Sequence, residues 1–327
     1  MTGVVLFAGG GLACHGLKEA GIDLQLGVEW EADAVTVAQA TGLEHVIEGD
    51  VRDPELRQRV ERPGLLWSSF PCQAWSTAGK RLGAQDERNG WPWTVDWIDQ
   101  VQPRWFIAEN VRGLTFHRGA ADCDDGAMPQ PDACPRCYLE HVILPQLRER
   151  FEWVDCRVLN SADFGTPQHR RRLFIVAGPR RISWPAPTHS EGGDLWTKPW
   201  RSMGEALGLM EFRAIGGGRN PQSGHVAHLR NFRDLTAEPC VTLAAEQIGN
   251  RGPWIQHGTD TQSRRRLTVQ ECRVLMRAPR CYDAALDLVT TTAAYRILGN
   301  GVDRQLSRLL ALAVLAAEQE AQCAAAA

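Results

Sequence analysis

Val4-Val5-Leu6-Phe7-Ala8-Gly9-Gly10-Gly11 is an apolar run that stops at three consecutive glycines. Residues 4–7 have the length of a strand buried on both faces, and the apolar positions that follow through Leu17 carry a helical period. Strand, glycine turn and helix make the opening of a βαβ unit. Reading outward, the alternation recurs. Residues 24–28 predict a second strand ending at Glu29, residues 33–40 a helix, and residues 45–47 a third strand ending near Asp50. Residues 65–68 predict the fourth strand and 105–108 the fifth, with two more at 154–159 and 173–177. Residues 303–318 predict a strong apolar helix before an alanine-rich tail. The expectation is an α/β fold with a doubly wound, mostly parallel sheet.

The chain has 327 residues, enough for a full-sized core and two domains. After Gly178 the texture changes to Pro, Gly, Trp and Asn without clean periodicity, through residue 258. This divides the chain into a larger unit of residues 1–178 with 292–327 and a small irregular unit of residues 179–291. A polar stretch at 119–135 reads as a loop insertion. The net charge of −3 excludes a uniformly basic nucleic-acid binder. A polyanion must be met by local clusters such as Arg170-Arg171-Arg172, Arg180-Arg181 and Arg264-Arg265-Arg266, each of which alone reads as solvated surface. No run suits a bilayer, no secretion signal precedes Val4, and ten scattered cysteines suggest reduced thiols. A cytoplasmic protein is expected, with no membrane partner.

Seven segments carry chemistry. Pro71-Cys72-Gln73 ends the run Leu66-Trp67-Ser68-Ser69-Phe70, so a rigid proline presents a thiol beyond the fourth strand, where α/β proteins hold nucleophiles. The glycine turn lets backbone approach a ligand, or simply turns tightly. Glu29 stands about twenty positions after it, the spacing of an acid that binds a ribose diol. Trp30 offers a face for an adenine, and Asp50, next to Val51, an acceptor for its amine; in isolation both acids read as solvated strand ends. No G-x-x-x-x-G-K-[ST] cradle for ATP is present. Glu109-Asn110 follows the apolar fifth strand; burial there predicts a raised carboxyl pKa suited to a proton donor, unless it forms a salt bridge or cap. Asn110 is placed to tie this segment to the Cys72 loop. Gln168, Arg170 and Arg172 share one face at period two, and two arginines there suit a carbonyl oxygen and a phosphate. Tyr295 to Val302 reads as a turn before the last helix, with Asn300 as an amide partner for a small molecule or as that helix's N-cap.

In this order the segments resemble the cytosine-C5 DNA methyltransferases, over most of the chain outside residues 209–235. Phe7-Ala8-Gly9-Gly10-Gly11 is similar to the family's first motif, Glu29-Trp30 to its ribose-binding acid, and Pro71-Cys72-Gln73 to its nucleophile motif. Glu109-Asn110-Val111 resembles the following acid motif, and Gln168, Arg170 and Arg172 the Q-x-R-x-R element. Arg266-Leu267-Thr268 with Glu271 and Arg273 resembles the ninth motif, and Gly299-Asn300 with Val302 the tenth. The resemblance implies a Rossmann-like catalytic domain, a target-recognition domain and S-adenosylmethionine as cofactor. It assigns Phe7, Ala8, Gly9, Gly11, Leu12, Glu29, Trp30, Asp50, Val51, Asn300 and Val302 to the cofactor. Cys72 adds to C6 of a flipped-out cytosine, Glu109 serves N3 and Arg172 binds O2, supported by Arg170, Pro71, Gln73 and Asn110. Residues 74–89, with Lys80 and Arg81, become the loop that closes on DNA. The implied partners are double-stranded DNA and a cognate restriction enzyme; a monomer, bacterial or phage-encoded, is expected.

The chain departs from the family's pattern at Ser68-Ser69, where glycines are common, and at Gly301, where alanine or serine is usual. Pro187-Thr188-His189 and Pro239-Cys240-Val241-Thr242 flank a reader of only about fifty residues, which predicts a target of two to four bases. No extra cation near Asn300 suggests a carboxylated donor, so plain methyl transfer is expected. Cys134-Pro135-Arg136-Cys137, with Cys123, His141 or His117, has zinc-ligand residue types, but one CxxC lacks a second pair. The reading is an exposed loop with unligated thiols, zinc being the alternative. Other functions compatible with the sequence are a transfer-RNA cytosine methyltransferase and a catalytically silent DNA binder. A nicotinamide oxidoreductase leaves Cys72 unexplained.

Overall fold

Seven strands form one sheet in the order β3-β2-β1-β4-β5-β7-β6. They are β1 (Thr2–Leu6), β2 (Asp23–Glu29), β3 (Val46–Glu48), β4 (Leu65–Ser68), β5 (Trp105–Val111), β6 (Trp153–Asn160) and β7 (Arg171–Gly178). The first five are parallel; β7 runs antiparallel between β5 and β6. The chain winds outward from β1 through β2 to β3, then returns to β4 on the other side. The strand order therefore reverses between β1 and β4, and the crevice beyond their carboxyl ends is where such sheets bind ligands. This computed structural model describes residues 1–71, 88–117, 131–132, 134–209, 212–216, 233–245 and 253–326.

The strands are short apolar runs because both faces are covered. Val4, Leu6 and Leu66 point into a core completed by α4 (Trp91–Val101) and by the segment from α5 (Pro135–Tyr138) to α6 (Leu144–Arg148). Val5, Leu65 and Trp67 point the other way, against α1 (Leu12–Glu19) and α11 (Arg304–Ala326). Trp67, Trp97 and Trp105 are fully buried, each with its indole N–H donated: to Ser69 Oγ, to the Val51 carbonyl and to Glu318. The bond to Val51 anchors the turn after β3, one wall of the crevice.

Beyond β7 lie the short pair β8 (His189–Ser190) and β9 (Lys198–Pro199), and α7 (Met203–Leu207). A second sheet follows in the order β11-β10-β12-β13, from β10 (Phe212–Gly216), β11 (Arg233–Asp234), β12 (Trp254–His257) and β13 (Arg265–Arg266). A region read as irregular thus contains a small antiparallel sheet, whose strands are too short to show periodicity. Then come α8 (Val269–Leu275), α9 (Cys281–Leu286) and α10 (Thr291–Asn300). Met203, Ala214, Leu275 and Tyr282 share a core with Leu12, Ala34 and Val37, the last two from α2 (Ala32–Ala40), and with Ile297. No helix among the described residues is long and apolar enough to cross a membrane.

Three local expectations change. β5 runs three residues further than expected, so Glu109 and Asn110 lie within the strand, paired to β7, rather than after it. Gln168 and Arg170 precede β7 instead of sharing a strand face with Arg172. Tyr295 to Asn300 is helical, not a turn, and the N-terminal amides of α11 are capped by Asp303, whose Oδ1 accepts from Gln305 and Leu306, not by Asn300.

Candidate active site

A cavity of about 560 Å³ opens along the carboxyl edge of the sheet, within the usual range for small-molecule sites. On the β1–β3 side its wall is Phe7, Ala8, Gly9, Leu12, Glu29, Trp30, Asp50 and Val51; Asn300 and Val302 close it from α10 and the turn after it. On the β4–β5–β7 side it is lined by Pro71, Glu109, Asn110, Arg170 and Arg172. Cys72 and Gln73 lie outside the described residues, as do Lys80, Arg81 and Cys123. Gly11 does not line the cavity. With φ +86 it turns the chain into α1, and a Cβ there would meet Leu43 Cδ1 at 2.3 Å. Phe7 also holds a positive φ of 56, a strained setting for a bulky residue directly at the cavity wall.

Glu29 is held by the backbone around it. Its Oε2 accepts from Gly9 N at 2.7 Å, and its Oε1 from Trp30 N and Glu31 N at 3.0 Å each. Burial raises its carboxyl pKa, opposed by those N–H donors. The remaining lone pairs face the cavity that Glu29 lines. Trp30 beside it is 70% exposed, a flat apolar face with nothing packed over most of it. Asp50 is half-buried and gripped in a fork by Arg52, which lowers its pKa. An acceptor for an amine is therefore shared with a guanidinium that sequence reasoning did not include. Glu31, Ala34 and Trp93 also line the cavity unanticipated. They come from loops and helices with no motif of their own, so only packing reveals them.

Glu109 is buried in β5, and Arg172 at the start of antiparallel β7 reaches the same edge, since Val111 and Arg172 are paired. Arg172 Nε lies 3.1 Å from Glu109 Oε1. Burial raises the Glu109 carboxyl pKa, against the pull of Arg172 and Arg170. Asn110 Nδ2 donates to the Phe70 carbonyl at 3.0 Å, joining β5 to the segment that ends at Pro71. Arg170 differs from its expected part. Its Nη1 and Nη2 donate to the carbonyls of Leu243 (3.1 Å) and Gly299 (3.0 Å), and burial pulls its pKa down to about 9. It is a brace between the start of β7, the second unit and α10, and thereby a positioning residue, with one N–H of each terminal nitrogen committed to a carbonyl. Gln168 acts alike: its Oε1 accepts from Leu243 N at 3.2 Å, and its backbone bridges Cys240. In the ninth-motif segment Thr268 and Glu271 form a capping box on α8, a structural use of both.

His117 Nδ1, Cys134 Sγ and Cys137 Sγ lie within 4.8 Å of one another in the segment after β5, without His141.

Residues 1–191 match the family model described as C-5 cytosine-specific DNA methylase. Type II methyltransferase M.NaeI of Lentzea aerocolonigenes is 35% identical over 192 residues, which are 57% of this chain and 42% of that protein. Type II methyltransferase M.AplI of Arthrospira platensis is 27% identical over 327 residues, 94% of this chain and 84% of that protein. The fold is similar to the crystal structure of S. pombe Dnmt2 methyltransferase, with a TM-score of 0.66 at 15% identity over 97% of this chain and 99% of that one.

Proposed function

The chain belongs to the C-5 cytosine-specific DNA methylases, and from that premise we propose that it methylates C5 of a cytosine flipped out of double-stranded DNA, with S-adenosylmethionine as donor. One observation carries the reading. A buried carboxyl paired with an arginine stands on the same cavity as a carboxylate held by three backbone amides and an exposed indole. The first half suits a pyrimidine edge, the second a nucleoside.

The residues fit that donor. Glu29 would take the ribose hydroxyls, Trp30 one face of the adenine and Asp50 its amine, while Gly9, with no atom within 4 Å of where a Cβ would stand, leaves room for close backbone approach. When bound, S-adenosylmethionine supplies an electrophilic methyl group. The chain's own residues do the rest. Cys72, one residue beyond Pro71, would add as thiolate to C6 and make C5 nucleophilic. Glu109, its carboxyl pKa raised by burial, would donate at N3 in its protonated form, and Arg172 would bind O2, so charge developing in the ring is stabilised. A base then transfers the C5 proton to solvent, and departure of the Cys72 sulfur restores the ring. The flipped base costs a few kcal/mol of stacking, offset by these contacts.

The unit around residues 179–291 would read the target, and its small size suits a site of two to four bases. The relatives' names suggest a restriction enzyme as partner. Incubation of the chain with labelled S-adenosylmethionine and duplex DNA, followed by sequencing of modified positions, tests the reading. Label should enter cytosine C5 in DNA and be lost in Cys72→Ala. Label in transfer RNA alone, or undiminished transfer by Cys72→Ala, would overturn it.

A further inference from the structure

We propose that His117, Cys134 and Cys137 ligate a structural zinc ion, forming a clasp outside the methyl-transfer cavity. The sequence left this open because a single CxxC lacks a second pair. The fold supplies the missing partner from 17 residues earlier: Cys134 Sγ and His117 Nδ1 are 3.5 Å apart. Zinc–sulfur and zinc–nitrogen bonds of about 2.3 and 2.0 Å, at a tetrahedral angle, put sulfur and nitrogen about 3.5 Å apart. Two thiolates and an imidazole are a donor set that favours zinc over hard cations. A cysteine pair with two residues between them is also a usual zinc-ligand spacing.

Burial supports a metal over a redox pair. Cys134 and Cys137 are 1% and 2% exposed, and neither is in a disulfide. They form a small cluster of their own, apart from the three main cores. Buried thiols with little apolar company gain little from packing alone; a metal would cross-link them instead. The placement also gives the ion something to hold. His117 follows the short helix Arg112–Thr115, which continues from β5 and Glu109. Cys134 and Cys137 bracket the start of α5, whose Tyr138 hydroxyl accepts from Asn89 Nδ2 at 2.8 Å. The clasp therefore links the strand carrying Glu109 to Asn89, which stands just before α4. The fourth coordination position is left to water or another side chain.

The test is the metal content of the full chain, produced with zinc in the medium, desalted and measured by mass spectrometry. About one zinc per chain is expected, falling at least about tenfold in Cys134→Ser, Cys137→Ser and His117→Ala, while Cys281→Ser, at an exposed cysteine, keeps it. In case those variants do not fold, the wild-type chain is loaded with cobalt(II); thiolate-to-cobalt charge-transfer absorption supports the site. Wild-type protein with neither zinc nor that absorption, or with a Cys134–Cys137 disulfide, would overturn it. None of these readouts involves methyl transfer, so the inference stands or falls independently of the proposed activity.

Discussion

Glu109 illustrates how a single residue can be legible in type and misplaced in setting. An acid after a fully apolar run is legible as a group with a raised pKa, because burial disfavours its charge. That it sits inside β5 with Arg172 against it is a consequence of strand pairing. Its donor form is the protonated one, so catalysis should fall as pH rises through its elevated folded value. Glu109→Gln should lower kcat about 10²- to 10⁴-fold and lose that limb of the pH profile. Pre-steady-state rates across pH for both proteins check this. Arg170 makes the opposite point: its sequence position suggested chemistry, and its contacts make it a brace. Arg170→Met would leave the Leu243 and Gly299 carbonyls without their donor, at a cost of about 3 kcal/mol. Urea unfolding would measure that loss.

At the scale of elements, the βα alternation was readable because buried parallel strands are continuous apolar runs. The second sheet was not, since β11 and β13 are each two residues long and define themselves only by pairing. The carboxyl end of α10 shows what packing adds. A Cβ on Gly299 would meet Ala245 N at 2.4 Å and Ala245 Cα at 2.5 Å, both backbone. A Cβ on Gly301 would meet the flexible end of Leu12 at 2.5 Å. Gly299→Ala should therefore destabilise by about 2 kcal/mol or more, and Gly301→Ala by under about 1 kcal/mol. Thermal unfolding of the two variants distinguishes them. The unusual glycine at 301 is thus the tolerant one, and Leu12 fills the room beside it.

Across the whole molecule, the second unit is joined to the parallel sheet by a shared core, by the Arg170 and Gln168 bonds to Leu243, and by a buried hydroxyl, Tyr282 Oη donating to the Gly10 carbonyl at 2.5 Å. The same junction holds His15, whose ring lies 5.6 Å from Tyr282 and whose Nε2 pairs with Thr41 at 2.9 Å. Burial pulls His15 down to about 4 from 6.5. A depressed histidine contributes stability that is present above 6.5 and lost as pH falls toward 4. Glu29 and Glu109, raised by burial, work in reverse, losing stability as pH rises above 4.5. We expect the melting temperature of the chain to drop relative to that of His15→Gln as pH falls from 6.5 to 4, because the variant lacks the histidine's loss. Calorimetry across that interval checks both the sign and whether the two units melt together, as their shared core requires.

The sequence alone determined the fold class, the succession of strands and many of the residues that line the cavity, because short buried strands and glycine or proline turns are local features. Only the tertiary structure decided that Glu109 meets Arg172, that Arg170 holds carbonyls, and that His117 lies beside two cysteines. Each of those depends on distances between segments far apart in the chain, which no local pattern encodes.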